Sequence, residues 1–293
     1  MAFRLKADEP VRRGLRRLAA KQLKEARDQL RGARRPSDEA IHEARKSLKK
    51  ARAIVQVIDA DAGRHLGGSR KALRAVNRTL SRLRDADAML GIFERLRARM
   101  PQLIGEQTFT RVRRRLAAGK RAALEKAERR DDWKHVDRHL RALRKAAGRW
   151  RQAHGGFGAL ERGMREAHRR GRKALARARK RQRAEDFHEW RKAVKALWYQ
   201  LRLLGGRSRR IGRDAAALHR AEALLGDEHN VVVLCGVLAS DQSVCHTADD
   251  ADRVRLAGDR YQCEMRKRAV QAARGVYAPK SGAYVRSIKR EWK

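Results

Sequence analysis

Apolar residues recur three and four positions apart along most of the chain, which is the spacing of an amphipathic α-helix. Helix breakers are few, with 4 prolines in 293 residues, and they fall between the periodic segments. The pattern predicts about nine helices, with approximate bounds Pro10–Arg31, Asp38–Asp59, Ser69–Met100, Glu106–Arg130, Asp132–Ala153, Leu160–Arg183, Glu185–Leu204, Arg209–Ala239 and Ala248–Arg274. We expect an all-α protein of long antiparallel helices, with a loosely ordered tail after Gly275, where the periodicity is weak.

One eight-residue pattern occurs twice in the chain. Residues 42–49 read HEARKSLK and residues 188–195 read HEWRKAVK, so the copies begin 146 residues apart. The segment that begins at Leu80 corresponds more loosely to the one that begins at Leu225. Gly155, Gly156 and Gly158 mark the clearest boundary between the copies. Two copies of one helical unit, related by pseudo-symmetry, therefore predict an N-terminal bundle at 1–153 and a C-terminal bundle at 154–293.

Both copies separate into an apolar stripe and a basic row on a helix of 100° per residue. The apolar stripes, which we expect to face the core, are Ile41, Ala44, Leu48, Ala51, Val55 and Ile58, and Phe187, Trp190, Val194, Leu197, Leu201 and Leu204. The basic rows are His42, Arg45, Lys46 and Lys49, extended by Arg52, and His188, Arg191, Lys192 and Lys195, extended by Arg202. Neither row contains an acid, whereas an ordinary solvated helix mixes both signs. A solvated basic face explains one such row, but two matched rows favour a binding site.

The charge of the whole chain indicates an anionic partner. Lysine and arginine number 75 against 34 acids, which gives a formal net charge of +41. Repulsion among these charges opposes compaction, so we expect a polyanion to neutralise part of them. DNA, RNA, an anionic membrane and inorganic polyphosphate all meet this requirement. Arginine forks and lysine ammonium groups suit phosphate oxygens, and a bound phosphate would raise the pKa of a nearby histidine.

The paired motif that begins at His42 and His188 resembles the conserved histidine α-helical domain (CHAD) family, as do the stretches RDAD at 84–87 and RRGRKA at 169–174. The resemblance covers about Val11 to Ala239. It implies two four-helix bundles related by a pseudo-two-fold axis, with a basic channel between them that binds inorganic polyphosphate. It also implies that both basic rows line this channel, together with Arg12, Arg16, Arg169 and Arg172, and with Arg84 as a weaker member. The segment at 227–230 matches the first copy poorly, so it receives no role.

Nucleic-acid binding is the main alternative to polyphosphate binding. Sequence-independent binding of a duplex needs only phosphate contacts, whereas proteins that bind single strands usually add exposed aromatic rings. Aromatic residues make up 5% of this chain, and Phe187 and Trp190 fall on a predicted core stripe. Polyphosphate carries no bases, so it needs cations and no stacking surface. We therefore expect a polyphosphate-binding protein without catalytic activity, and leave weak nucleic-acid binding open.

A metal-dependent phosphohydrolase is the less favoured alternative. His135 and His139 lie four positions apart, near Asp131 and Asp132, and could chelate a metal, but surface histidines often have this spacing. The sequence contains no P-loop and no dinucleotide-binding glycine motif, and we expect neither a cofactor nor a metal. The longest apolar run, Val231–Ala239, is too short to span a membrane. The odd number of cysteines favours the cytoplasm, where association with polyphosphate-containing granules is left open.

Overall fold

The fold is all-helical, as predicted. The computed structural model describes residues 3–6, 8–31, 36–63, 65–129, 132–205, 208–240, 245 and 247–292, apart from the side chains of 82–87, 127–129 and 132. These residues form no β-strand. They include ten α-helices: α1 Val11–Leu30, α2 Asp38–Asp61, α3 Gly67–Arg99, α4 Glu106–Arg129, α5 Asp132–Ala147, α6 Gly158–Arg181, α7 Ala184–Leu203, α8 Arg209–Ser240, α9 Ala248–Tyr277 and α10 Ser281–Glu291.

The ends of the helices follow from local chemistry. The Ser37 hydroxyl accepts a hydrogen bond from the Ala40 backbone N–H (3.1 Å), so Ser37 is the N-cap of α2. Thr247 caps α9 in the same way through the Asp250 N–H (3.0 Å). Helix α3 ends at Arg99, one residue before the predicted end, and Pro101 follows its C-cap residue Met100, since proline cannot continue the ladder of backbone hydrogen bonds.

The first half of the chain (α1–α5) and the second half (α6–α10) have the same order of neighbours. In the first half α1 packs on α2, α2 on α3 and α3 on α4; in the second half α6 packs on α7, α7 on α8 and α8 on α9. The halves contact each other where α2 meets α6 and α7, and where α3 meets α8 and α9. The predicted pseudo-two-fold axis and the predicted division after residue 153 stay predictions.

Apolar side chains from both halves share the core. The larger cluster joins the buried faces of α1, α2, α6 and α7, and a smaller cluster joins the distal parts of α3, α4, α8 and α9. Both predicted core stripes are confirmed, because none of their twelve side chains is more than 2% exposed. Gly163 lets α6 approach α2 closely, since a Cβ there would lie 3.1 Å from the Cα of Val57. This packing brings α2 and α7, which carry the basic rows, to the junction between the halves.

Two segments differ from the prediction. Helix α5 ends at Ala147 and not at Ala153, and the segment that follows buries Trp150 and Phe157. The expectation of a loosely ordered tail is wrong, because α10 buries Tyr284, Val285 and Ile288. Helix α10 has only 11 residues, too few for its apolar spacing to stand out in the sequence.

Helix α8 is apolar over a longer stretch than the run Val231–Ala239 alone. Among the described helices, α8 is the one long and apolar enough to pass a test of length and hydropathy for crossing a membrane. A helix of a soluble core passes the same test, so this is weak evidence either way. The expectation of no membrane span therefore stays a prediction. Cys235, Cys245 and Cys263 are free thiols.

Candidate functional site

The two basic rows meet in one cavity at the junction between the halves. The cavity has a volume of about 250 Å³ and lies among α2, α3, α7 and α8. Its lining contains Arg45, Lys49, Arg52, Asn77, Ser81, Met89, His188, Arg191, Lys192, Lys195, His229, Asn230 and Val233. Six of these thirteen side chains are lysines or arginines, and His188 of the second basic row is a seventh member of the lining. None of the thirteen is a carboxylate. The cavity therefore has the charge and the donors to bind a phosphate-rich anion.

The first half supplies a buried arginine that neutral groups hold in place. Arg45 is 7% exposed, and its Nη1 donates to the Ser81 hydroxyl oxygen at 2.5 Å and to the Asn77 backbone oxygen at 3.3 Å. Both partners lie on α3, which packs on α2. These hydrogen bonds hold the guanidinium at the wall of the cavity, where its remaining N–H groups can donate to an anion.

The second half supplies two cations, Arg191 and Lys195, and a carboxylate lies against both. The Glu222 Oε1 of α8 is 2.5 Å from the Lys195 Nζ and 3.4 Å from the Arg191 Nη2. Burial and the neighbouring Arg191 lower the pKa of Lys195 to about 8, although Glu222 opposes both effects. Burial raises the pKa of Glu222, but Lys195 and Arg191 outweigh that effect and hold it below its ordinary value. Glu222 is therefore ionised at neutral pH.

Two histidines lie against each other on the wall formed by α7 and α8. The ring centroids of His188 and His229 are 4.2 Å apart, with the planes inclined by 35°. Burial, together with the adjacent Arg191 and Lys192, lowers the pKa of both rings, and the pKa of His229 falls to about 4. Both histidines are therefore neutral at pH 7 in the free protein. The His188 Nδ1 is buried and makes no hydrogen bond with any described residue.

A second basic surface continues from the cavity. This groove, which we call the α6 groove, shares Arg52 and Lys192 with the cavity and runs between the first half and α6. Its other basic side chains are Arg70, Arg74, Arg170, Lys173 and Arg177. Glu189 also lines the groove and lies 2.6 Å from the Lys192 Nζ. The shared residues make the cavity and the α6 groove one continuous basic path.

A comparison with models of protein families shows to which family this chain belongs. The family model of the CHAD domain matches residues 7–239. The chain belongs to the CHAD domain family.

Solved structures agree with this fold. A crystal structure of the CHAD domain from the plant Ricinus communis is 19% identical, has a TM-score of 0.68, and is covered over 94% of each chain. PptA from Streptomyces chartreusis is 15% identical, with a TM-score of 0.61, over 92% of this chain and 100% of that one. No curated protein matches the sequence at a significant level. At these identities the structures support the fold alone.

The structure of this CHAD domain brings together part of the predicted set. Arg45 and Lys49 of the first row line the same cavity as the four members of the second row, His188, Arg191, Lys192 and Lys195. His42 and Lys46 are exposed and lie outside the cavity lining, with the Lys46 Nζ 2.6 Å from the Glu43 carboxylate. The Arg84 side chain lies outside the described residues.

Arg12 and Arg16 have a structural position that the sequence did not indicate. Arg12 donates to the backbone oxygens of His154 (3.1 Å) and Ala153 (2.8 Å), and Arg16 donates to that of Trp150 (2.6 Å). Neither side chain lines the cavity. They hold the segment that joins α5 to α6 against α1, and their role as channel supplements stays a prediction.

The basic residues that α6 contributes are offset from the predicted ones. Arg170, Lys173 and Arg177 line the α6 groove, whereas the predicted Arg169 and Arg172 line neither the groove nor the cavity. A shift of one position along a helix rotates the side chain by about 100°, so the two sets lie on different faces of α6. The binding role of Arg169 and Arg172 stays a prediction.

Arg202 also lies outside the cavity lining, and its predicted role in binding stays a prediction. Its guanidinium carbon is 5.1 Å from the centre of the Trp198 ring and 5.6 Å from the centres of the Phe3 and Tyr199 rings. These cation–π contacts tie the N-terminal segment to the end of α7.

The prediction missed Asn77, Ser81, Glu222 and His229, which α3 and α8 contribute. All four follow the repeat, since α8 positions correspond to α3 positions 145 residues earlier, as Leu225 does to Leu80. In this alignment of the two copies, Glu222 corresponds to Asn77 and His229 corresponds to Arg84. The poor sequence match at 227–230 obscured this correspondence.

The alternative metal site lacks support in the described part of the chain. No group of three or more histidine, cysteine or acidic side chains that could hold a metal ion occurs there. His135 and His139 are exposed, whereas Asp131 and the side chain of Asp132 lie outside the described residues. Asp227 forms an ion pair instead, since its carboxylate lies 2.9 Å from the Arg95 Nη2.

Proposed function

We propose that this CHAD domain binds inorganic polyphosphate in the cavity between its halves and does so without catalysing a reaction. The observation that carries the proposal is the convergence of Arg45 and Lys49 with Arg191, Lys192 and Lys195 on one cavity. Cations from both halves can then contact successive phosphates of one chain. Because each phosphate gains a charge-assisted hydrogen bond, the contacts of one chain add up to a high affinity.

The α6 groove supports an extended ligand over a compact one. A cavity of about 250 Å³ encloses only a few phosphates, whereas a polyphosphate chain is much longer. The chain would leave the cavity past Arg52 and Lys192 and continue along Arg170 and Lys173. Among the described residues, phenylalanine, tyrosine and tryptophan are absent from the cavity lining, so stacking of bases on such rings plays no part in this arrangement.

A competition experiment tests the proposal. Labelled long-chain polyphosphate is bound to the protein and displaced by duplex DNA, RNA, tripolyphosphate or unlabelled polyphosphate, each at equal phosphate concentration and fixed salt. We expect unlabelled polyphosphate to displace the label best, and we expect binding to weaken steeply as salt rises. More effective displacement by DNA or RNA would favour nucleic-acid binding instead. Release of orthophosphate during incubation, with or without a divalent metal, would contradict the non-catalytic part of the proposal.

A further inference from the structure

Glu222 is an acid placed against the cations of the second row. Its side chain is 14% exposed, and its Oε1 lies 2.5 Å from the Lys195 Nζ and 3.4 Å from the Arg191 Nη2. Lys49 of the first half is close enough to lower its pKa as well. One carboxylate therefore acts on three cations that line the cavity, although it is not itself part of the cavity lining.

The first half has a neutral residue at the corresponding position. Helices α3 and α8 bury matching residues 145 positions apart, namely Leu73 and Leu218, Val76 and Ala221, and Leu80 and Leu225. In this register Asn77 corresponds to Glu222, and Ser81 corresponds to Gly226. A Cβ on Gly226 would lie 3.2 Å from the Arg191 Nη2. The Arg191 guanidinium therefore occupies the space that corresponds to the Ser81 side chain in the first half. The second row thus has a carboxylate where the first row has an amide.

We propose that Glu222 is an internal competing anion, which lowers the affinity of the second basic row for phosphate. This inference rests on the proposed function. A phosphate that contacts Lys195 either displaces the Glu222 carboxylate or binds beside it. Displacement leaves a largely buried carboxylate without its ammonium partner, which is costly. Binding beside it adds repulsion between two anions at short range.

The consequence is a minimum length that a phosphate ligand needs in order to bind tightly. A small phosphate contacts few cations, so the opposition from Glu222 cancels much of what it gains. A long chain also contacts the first row and the α6 groove, where Glu222 has less effect. The free energy from those further contacts adds to the total, and the chain is retained. Glu222 thus keeps abundant small phosphates out of the cavity.

The test compares Glu222→Gln with the unchanged protein by calorimetric titration with sodium tripolyphosphate and with long-chain polyphosphate. We expect Glu222→Gln to bind tripolyphosphate about tenfold more tightly, since a unit charge within a few ångströms of the ligand has been removed. The mirror variant Asn77→Asp introduces an acid beside the first row, and we expect it to bind about tenfold more weakly. Circular dichroism checks that both variants keep their helicity.

Glu264→Gln is the matched control. Glu264 also contacts two arginines, with distances of 2.7 Å to Arg99 and 3.0 Å to Arg268, but it is exposed and lies on α9, away from the cavity. We expect this variant to bind as the unchanged protein does. Equal or weaker tripolyphosphate binding by Glu222→Gln, with long-chain binding intact, would overturn the inference and leave the proposed function standing. Absence of long-chain binding to the unchanged protein would overturn the proposed function itself.

Discussion

The two basic rows have nearly the same sequence but different surroundings. In the first half, Arg45 is held by a hydroxyl and a backbone carbonyl of α3. In the second half, Arg191 and Lys195 face the Glu222 carboxylate of α8. His42 is exposed at the start of the first row, whereas His188 lies against His229 at the start of the second.

This difference shows that the motif itself does not decide how strongly a row attracts an anion. The neighbouring helix contributes as well, because α3 carries the amide of Asn77 where α8 carries the carboxylate of Glu222. In the second row this carboxylate lies against Lys195, whose pKa is lowered to about 8. Three changes test this contrast, and they follow in order of expected effect.

Removal of one lysine from each row has the largest expected effect. We expect Lys49→Ala plus Lys195→Ala to lower the affinity for long-chain polyphosphate about 100-fold, since each charge-assisted hydrogen bond contributes about 1.5 kcal/mol. Fluorescence anisotropy at fixed salt measures the affinity. The control is Lys21→Ala plus Lys24→Ala, which removes the same charge from exposed ion pairs on α1. Loss of helicity in the first variant would mean that its lysines hold the fold instead.

The two rows are expected to differ in how much each lysine contributes to the free energy of unfolding, and the single lysine variants test this. We expect Lys195→Ala to lower the free energy of unfolding by about 2 kcal/mol, because it leaves the largely buried Glu222 with a weaker partner, Arg191. Lys49→Ala leaves the Lys195–Glu222 pair intact, so we expect it to cost less than about 1 kcal/mol. Urea unfolding monitored by circular dichroism measures both.

Glu222→Gln serves as the second-site control for that comparison. Added to Lys195→Ala, it removes the charge that the first change left unpaired, and we expect it to restore most of the lost stability. If the double variant is as unstable as Lys195→Ala alone, the ion pair is not the reason for the loss.

The smallest expected effect is a pH dependence of a few-fold that comes from the second row. Free Lys195 loses its proton near pH 8, and a bound polyanion raises its pKa, so affinity falls as pH rises above about 8. The pKa values of His188 and His229 are lowered by burial and by Arg191 and Lys192, although Glu189 opposes this at His188. A bound polyanion raises both, so affinity increases as pH falls from 7 towards 5.

Titrations from pH 5 to pH 9 at constant ionic strength measure this response. We expect His188→Asn to remove more of the increase at acid pH than His42→Asn, because His42 lies outside the cavity lining. An affinity that is constant across the whole range would exclude both Lys195 and the histidine pair from the binding site.

Much of the fold was predictable because its signals are local. The spacing of Ile41, Ala44 and Leu48 predicts both a helix and its buried face, and the structure buries all three. The repeated motif likewise indicated that α2 and α7 carry the site. Helix α10 escaped prediction because its few apolar residues are recognisable only once Tyr284 and Ile288 meet α6 and α8.

The members of the site were less predictable, because a basic side chain on a helix has the same local signal whether it binds a ligand or holds the fold. Arg12 and Arg16 bind carbonyl oxygens more than 130 residues away, and Arg202 binds aromatic rings near the N-terminus. No local pattern marks such partners, so the sequence alone did not indicate these contacts.

Helical periodicity, the repeat and the excess of positive charge are properties of neighbouring residues or of composition, so the chain alone specified an all-α protein with two basic rows. The same charge predicts an anionic partner. The shared cavity, the groove past Arg52 and Lys192, and the carboxylate behind Lys195 depend on which helix packs on which. These contacts join residues far apart in the chain, and the burial that changes their charge state arises only when the two halves pack together.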